Sequence, residues 1–392
     1  DPVKKDDIYE QINLFTEVLS IIREHYVEEV DAKKLITGAA HGMVKTLDAF
    51  SQFMEPEVYK EMKTETEGSF GGLGIRIALR EGALIVITPL PGTPAYRLGV
   101  LPEDRIIKID AEDTKDFSLF EAVKRLRGQP GTSVKITVAR EGVKDPIVFD
   151  ITREVIKIET VRSRMLEDGI GYIRLIEFSK NSGDDLLSAL KNLGAQGMKS
   201  LVFDLRNNPG GLLPVAIDIC KMFVGEDKLV VYTEGRTQRR QDFRADRQAP
   251  YTVLPMAVLI NKGSASASEI FAGCVQDHRR AIIIGSQTFG KASVQTVMPL
   301  QKAPDGYGLR LTTARYFTPK GRAIHGVGLT PDILVEVPRE IEAKLMGQEE
   351  ELYAKDKPAE PAVKKDRAED VVLSRAKDIL KAREIFNGSG TP

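Results

Sequence analysis

The sequence predicts an α/β protein that carries an inserted all-β module and has helices at both ends. Three observations lead there. Over residues 154–340, apolar runs of strand length alternate with segments of helical period, the pattern of a mainly parallel sheet covered by helices. Over 67–153, short strand-like runs are broken by Gly and Pro, with one helical segment among them. At the termini, apolar residues recur at steps of three and four, over 5–27 and again from Val371. At 392 residues the chain is too long for one typical domain. It divides into an N-terminal helical region (1–66), the β module (67–153), the α/β core (154–345), and a linker with a last helix (346–392).

Bulk properties narrow the function classes. A formal net charge of −1 gives no global field for nucleic acid or anionic membrane, so no nucleic-acid partner is expected. No apolar stretch reaches membrane-spanning length. Asp1 is not preceded by a signal peptide, which leaves a cytoplasmic chain or a trimmed mature form. His25, His41, His278 and His325 lack metal-ligand spacing, and no metal or cofactor is expected. Cys220 and Cys274 lie on apolar helical faces and read as two buried free thiols.

The terminal helices follow from periodicity. Ile8, Ile12, Phe15, Leu19, Ile22 and Tyr26 make one apolar face. Asp31 can cap a second helix bearing Leu35, Ile36, Ala40, Met43, Val44 and Leu47. In the β module, strands are expected over 73–79, 83–88, 105–110, 133–140 and 146–152, with a helix carrying Phe120, Val123, Lys124 and Leu126. The Gly-rich run from Gly68 to Arg76 has no preceding strand, which excludes a nucleotide-binding loop. In the core, Met256–Ile260 reads as a buried strand ending at the turn Asn261-Lys-Gly263, and Ile270, Phe271 and Cys274 mark the helix after it. Ser266 then stands at the helix start, where backbone N–H groups lie free. Ala281–Ile284 reads as the next parallel strand. If 291–297 is extended, Lys291, Ser293 and Gln295 share a face. A serine on an exposed turn with a lysine nearby can form a nucleophile and its base.

Lysine serves as a base only when neutral, and its ordinary pKa of ~10.4 must be lowered by burial. The apolar Phe289, Val294, Val297 and Ile282–Ile284, with no acid in the segment, suit that requirement. A neutral Gln295 can orient the amine without adding charge. Strand Ser200–Leu205 runs into Arg206-Asn-Asn-Pro-Gly-Gly211 and then a helix, so paired glycines aim amides outward, a geometry that stabilises an oxyanion. Residues 225–250, rich in Arg and Gln and including Arg236 and Arg239, read as a solvated hairpin or loop. From about residue 345 the sequence is charged and Pro/Ala-rich, hence linker-like, before a last helix with Val371, Val372, Ala376, Ile379 and Leu380.

Asn261–Glu269, Phe289–Gln295 and the Asp204-Leu-Arg-Asn-Asn-Pro-Gly-Gly211 run resemble segments of the carboxy-terminal processing, or tail-specific, proteases. Pro91-Gly-Thr-Pro-Ala-Tyr-Arg-Leu-Gly-Val100 with Asp104–Ile109 resembles a bacterial PDZ domain, and Phe70-Gly-Gly-Leu-Gly-Ile75 its carboxylate-binding loop. The resemblance implies a crotonase-like or ClpP-like protease core with Ser266 as nucleophile, Lys291 as base and Gln295 as orienter. It implies an oxyanion hole from the amide of Ala267 and that of Gly211, favoured over Gly210. Phe70, Gly71, Gly72, Leu73, Gly74 and Ile75 would hold a substrate's terminal carboxylate as a nest beside a strand edge, with Arg76 or Arg105 as a cation. Implied partners are unfolded or flexible proteins with apolar C-termini and further copies of the chain, in a homodimer or higher homo-oligomer, with the N-terminal helices mediating dimer formation. The implied compartment is extracytoplasmic: periplasm, lumen or cell envelope. Two departures stand out. Leu47-Asp-Ala-Phe-Ser51 lacks the Pro and His of the family's turn, and Glu103 occupies a usual turn glycine. The alternatives are a serine hydrolase using His278 or His325, and a non-catalytic PDZ scaffold.

Overall fold

The three-and-four spacing at the N-terminus builds α1 (Lys5–His25), and Asp31 caps α2 (Ala32–Lys45) by accepting from the Lys33 amide at 2.8 Å. On α1, Ile8, Ile12 and Phe15 remain about half exposed. A turn at Asp48 leads to β1 (Gln52–Met54), and α3 (Pro56–Glu67) follows. The computed structural model describes residues 5–80, 82–90, 92–157, 159–237, 239–246, 249–300, 306–353 and 367–388.

The β module forms from the predicted runs. A two-stranded antiparallel ribbon, β2 (Ser69–Gly72) with β9 (Glu154–Lys157), brackets it. Between them lie β3 (Ile75–Arg80), β4 (Ala83–Pro89), the single turn α4 (Pro94–Arg97), β5 (Arg105–Ile109), β6 (Glu112–Asp113), α5 (Leu119–Leu126), β7 (Ser133–Ala139) and β8 (Ile147–Thr152). The sheet order is β3-β4-β5-β7-β8, with β6 paired to β5, so β3 is an edge strand. Leu84, Val86, Ile106, Ile136 and Val138 alternate into its core with Ala122 of α5. Glu103 takes φ 66° where a glycine would be at ease, so the turn is kept with a non-glycine residue. Its carboxylate meets Arg80 at 3.2 Å.

The core sheet runs β10-β11-β12-β15-β16-β19, where β10 (Val161–Met165) is antiparallel to β11 (Ile170–Leu175). From β11 through β12 (Ser200–Asp204), β15 (Met256–Ile260) and β16 (Ile282–Gly285) all pairing is parallel. Helices α6 (Ser182–Ala195), α7 (Leu213–Cys220) and α8 (Ala267–Asp277) supply the crossovers. Period-two alternation sorts the buried strand residues into two layers. Phe203 packs on one side, 4.9 Å from Phe271 of α8 and 6.0 Å from Phe223. Val202, Ala257, Leu259 and Ile284 face the other way. Within 225–250, β13 (Leu229–Glu234) pairs antiparallel with β14 (Gln241–Arg244).

Next come β17 (Ser293–Pro299) and β18 (Gly308–Phe317), antiparallel to each other, with β1 on the far side of β18. Together with the N-terminal helices and 234–239 they make one compact unit, Asp1–Glu61, Glu234–Arg239 and Ser293–Arg315. The β module and the core sheet belong to the second unit. There the chain closes with β19 (Ile333–Leu334), parallel to β16, then α9 (Arg339–Tyr353) and α10 (Val371–Gly388). Val372, Ala376 and Leu380 of α10 cover the second layer of the core sheet. The expected linker from residue 345 is corrected in part. Residues up to Tyr353 continue α9, because Leu345, Met346, Gln348, Glu349 and Leu352 line a seam against the sheet and α10. The charged Pro/Ala-rich part, 354–366, lies outside the described residues.

Candidate active site

The two turns singled out by sequence lie together at the carboxyl ends of β12 and β15, where parallel sheets bind their ligands. Asn261 ties them. Its Oδ1 accepts from the amides of Gly263 (3.0 Å) and Asn207 (2.8 Å), and its Nδ2 donates to Asn207 Oδ1 (2.9 Å). The buried Ser264 accepts from the Asn261 amide and donates to the Leu205 carbonyl. Ser266 follows as the N-cap of α8 with φ 54° and ψ −112°. A residue with a β-carbon held there stores strain of the kind found at functional turns. Ser266 itself is only partly buried.

Asn208 shapes the facing loop: its Oδ1 accepts from the Gly210 amide, and its carbonyl accepts from Ala265 N and Ser268 Oγ. A β-carbon on Gly210 would lie 2.7 Å from Ser266 Cβ and 2.8 Å from the Ala267 nitrogen. Gly210 is therefore the residue of close approach, with its amide already engaged. The amides of Gly211 and Ala267 donate to no described residue.

Lys291 precedes β17 instead of lying on it, so the expected alternation on one strand face begins only at Ser293. What fixes Lys291 is Glu269, a fully buried carboxylate on the first turn of α8. Its Oε2 accepts from both the Ser266 amide (2.8 Å) and the Lys291 amide (2.9 Å). Its Oε1 accepts from Thr288 Oγ1 (2.5 Å) and the Gly290 amide (2.7 Å). Tyr316 makes a second suture, its hydroxyl donating to the carbonyls of Ser266 (2.9 Å) and Lys291 (2.6 Å). Burial, with Glu269 adding to it, holds the Tyr316 phenol well above its ordinary pKa and keeps it a donor. The apolar surroundings expected of Lys291 are corrected in two respects. Phe289 is 58% exposed, and an acid from α8 reaches the lysine's backbone. Sequence reasoning assigned no role to Glu269 or Tyr316. The Ser266-x-x-Glu269 spacing is a capping-box pattern that identifies the first; nothing local marks the second.

Gln295 lies on β17 in the other unit. Its Nε2 donates to Ser293 Oγ (2.8 Å) and Thr312 Oγ1 (3.2 Å). The histidines are placed elsewhere. His278 caps the far end of α8, about 18 Å along the helix from Ser266, with Nε2 2.7 Å from the Leu229 carbonyl. His325 is exposed. Cys220 and Cys274 are buried free thiols in hydrogen-bond contact, with burial raising the Cys220 thiol well above its usual pKa.

Behind the turns lies a charged cluster. Arg206 is paired with Asp204 (2.6 Å) and with Asp370 at the start of α10 (2.8 Å). Burial alone would raise Asp204, yet the charge and hydrogen bonds of Arg206, aided by Arg174, hold it below the ordinary carboxylate value. Glu349 of α9 pairs with Arg174, and Glu342 accepts from Asn261 Nδ2 at 3.2 Å.

In the β module, the expected carboxylate loop is shorter than its sequence segment. Phe70, Gly71 and Gly72 belong to β2, paired with β9, and a β-carbon on Gly71 would lie 2.0 Å from the Gly128 carbonyl oxygen. Leu73 and Gly74 form the turn, and Ile75 opens the edge strand β3. Arg76 is on that edge strand. Arg105 lies two strands away on β5, which removes it as the cation beside the loop. The Arg127 guanidinium stacks over the Phe70 ring at 4.3 Å. Among the described residues, no cluster of His, Cys, Asp or Glu would hold a metal ion, and no helix is long and apolar enough to cross a membrane.

Fold and site define a serine peptidase core joined to a PDZ domain. A model of peptidase family S41 matches residues 169–335, a PDZ domain model 85–140, and the activating protease CtpB N-terminal domain model 2–58. The chain belongs to the carboxy-terminal processing proteases of peptidase family S41. It is 41% identical to a carboxy-terminal-processing protease of Bartonella bacilliformis, over 99% of this chain and 92% of that one. A carboxyl-terminal-processing protease of Synechocystis is 38% identical over 81% of this chain and 75% of its own length. Among solved structures, the photosystem II D1 C-terminal processing protease is 29% identical with a TM-score of 0.49, covering 83% of this chain and 92% of that one.

Proposed function

We propose that the protein is an endopeptidase that cleaves proteins near their C-termini with a Ser266–Lys291 dyad. Ser266 Oγ attacks the scissile carbonyl as Lys291 Nζ takes its proton. The same amine then delivers that proton to the leaving nitrogen, and water releases the acyl group. The amides of Gly211 and Ala267 stabilise the oxyanion, and Gln295 orients the amine. The observation that carries this reading is the single oxygen of Glu269 that accepts from both the Ser266 and Lys291 amides, which fixes the two segments on one atom. The core then corresponds to a crotonase-like or ClpP-like protease domain. The region divisions at 66/67, 153/154 and 345/346 separate the helical N-terminus, PDZ module, protease core and C-terminal helices.

The PDZ module recruits substrate tails. Leu73, Gly74 and Ile75 take the terminal carboxylate, and the edge of β3 pairs with an extended peptide. Its substrates are loosely folded proteins with apolar ends, met outside the cytoplasm. The half-exposed apolar face of α1 suits contact with a second copy. Cleavage of one flexible protein with its terminal carboxylate free or amidated tests the tail-recognition half. The free form should be cut faster by lowering KM. Equal rates would refute recognition of the carboxylate.

A further inference from the structure

Behind the paired glycines runs the turn between β11 and α6. Phe178 makes a parallel bridge to Gly211. Its amide donates to the Gly210 carbonyl at 2.8 Å, and its carbonyl accepts from the Leu212 amide at 2.8 Å. Both bonds go to the neighbours of Gly211, so the N–H and C=O of Gly211 itself point to the opposite side. The approach is close: a β-carbon on Gly211 would lie 2.3 Å from the Phe178 carbonyl oxygen. What holds Phe178 is one hydroxyl. Ser182, fully buried at the start of α6, donates from Oγ to the Glu177 carbonyl (2.8 Å) and accepts from the Ser179 amide (2.9 Å). A trans peptide unit carries its C=O and N–H on opposite edges. The unit whose N–H reaches Gly210 is therefore anchored at its other edge through the Glu177 carbonyl. The unit whose C=O receives Leu212 is anchored through the Ser179 amide.

We propose that Ser182 is a positioning residue for acyl transfer, aiming the Gly211 amide by fixing the two peptide planes of Phe178. The inference rests on the reading of that amide as an oxyanion donor. Such a donor works by being oriented before charge develops on the substrate. Gly211, at φ 144°, has no side chain to hold that orientation. Asn208 fixes the loop only as far as the Gly210 amide. The backing turn must supply the rest, and its two peptide planes meet on the Ser182 hydroxyl. Without that hydroxyl both planes lose their outer anchor, and the Phe178 bridge can swing together with Gly211.

The test reads kcat and KM on a peptide substrate, with the affinities of a peptide aldehyde and the matching peptide alcohol. The aldehyde adds Ser266 Oγ at its carbonyl carbon and so places its oxygen where the oxyanion forms; the alcohol cannot. Ser182→Ala should lower kcat about tenfold with KM within about twofold, short of the ~10²–10³ for losing a donor outright. It should weaken the aldehyde by a similar factor and leave the alcohol unchanged, a split that general loosening does not produce. Ser182→Cys, with a weaker hydrogen-bonding group at the same place, should fall between wild type and alanine. In a Gly211→Ala background, where the added methyl already forces the bridge apart, Ser182→Ala should slow the enzyme no further. Thr160→Val removes another buried hydroxyl bonded to α6, at Asp185, and should keep wild-type kcat. Wild-type kcat and aldehyde affinity in Ser182→Ala and Ser182→Cys would overturn the proposal. So would equal slowing in both backgrounds, or equal slowing by Thr160→Val. Wild-type aldehyde affinity in Gly211→Ala would instead overturn the reading of Gly211 as a donor, and the proposal with it.

Discussion

Replacing Glu269 separates its bonding from its bulk. The side chain is fully buried, and its two oxygens accept from four donors: Ser266 N, Lys291 N, Gly290 N and Thr288 Oγ1. Glutamine can keep one oxygen on the Ser266 and Lys291 amides and turn its NH2 toward Thr288 and Gly290. The Thr288 hydroxyl can then accept instead of donate, which leaves its own proton and the Gly290 amide as two donors without the acceptor they had. At about 1–3 kcal/mol each, that costs about 2–6 kcal/mol. Alanine strips all four donors and opens a cavity, so its cost is at least about 4 kcal/mol. At about 2–4 °C per kcal/mol, Glu269→Gln should melt about 4–24 °C lower, and Glu269→Ala lower again. Activity should divide the same way. Glu269→Gln retains the geometry of both segments and most of kcat. Glu269→Ala releases them, and a displacement of about 1 Å is enough for a hundredfold loss. Thermal unfolding with single-turnover acylation of Ser266 gives both readings. A Glu269→Ala protein that melts and acylates like wild type would refute the reasoning.

Other outcomes follow from the same contacts. Gly210→Ala places a methyl 2.7 Å from Ser266 Cβ at φ 103°, so turnover should fall more than about a hundredfold while the β module still binds peptide; unchanged turnover would contradict the close approach. Asp370→Asn removes one of the two carboxylates on Arg206, and for a pair this little exposed a loss of about 3 kcal/mol is expected by chemical denaturation. Asp204 is held below its ordinary value, so its stabilising contribution is full at neutral pH, above its unfolded pKa of ~3.9. It is lost as pH falls through the lower folded value. Melting temperature should therefore decline below about pH 4, and a flat profile to lower pH would contradict the pairing with Arg206.

The chain shows where periodicity speaks and where it stops. Val258 and Ile260 alternate with Ala257 and Leu259 because the sheet has two buried faces, and that repeat is visible in the residues alone. Ser266 was legible because a turn of small residues between strand and helix leaves few places for a side chain. The position of Lys291 was legible only as a neighbour in sequence. Its placement depends on Glu269 and Tyr316, which reach it from 22 residues before and 25 residues after. No local pattern encodes contacts of that span. The bond from the Thr312 amide to Ser51 Oγ is more remote still, since the two residues are 261 apart. The linker expected from about residue 345 gives way to helix as far as Tyr353 for a related reason, since the charge of Glu349 reads as solvated until its partner Arg174 is seen.

Labelling of Ser266 by an acylating or phosphonylating reagent, followed against pH, tests most directly whether Lys291 is the base. Wild-type and His278→Ala proteins should label at the same rate across the range. Lys291→Ala should fall to the background set by Ser266→Ala at every pH. Wild-type labelling by Lys291→Ala, or loss of labelling confined to the histidine variant, would contradict the account.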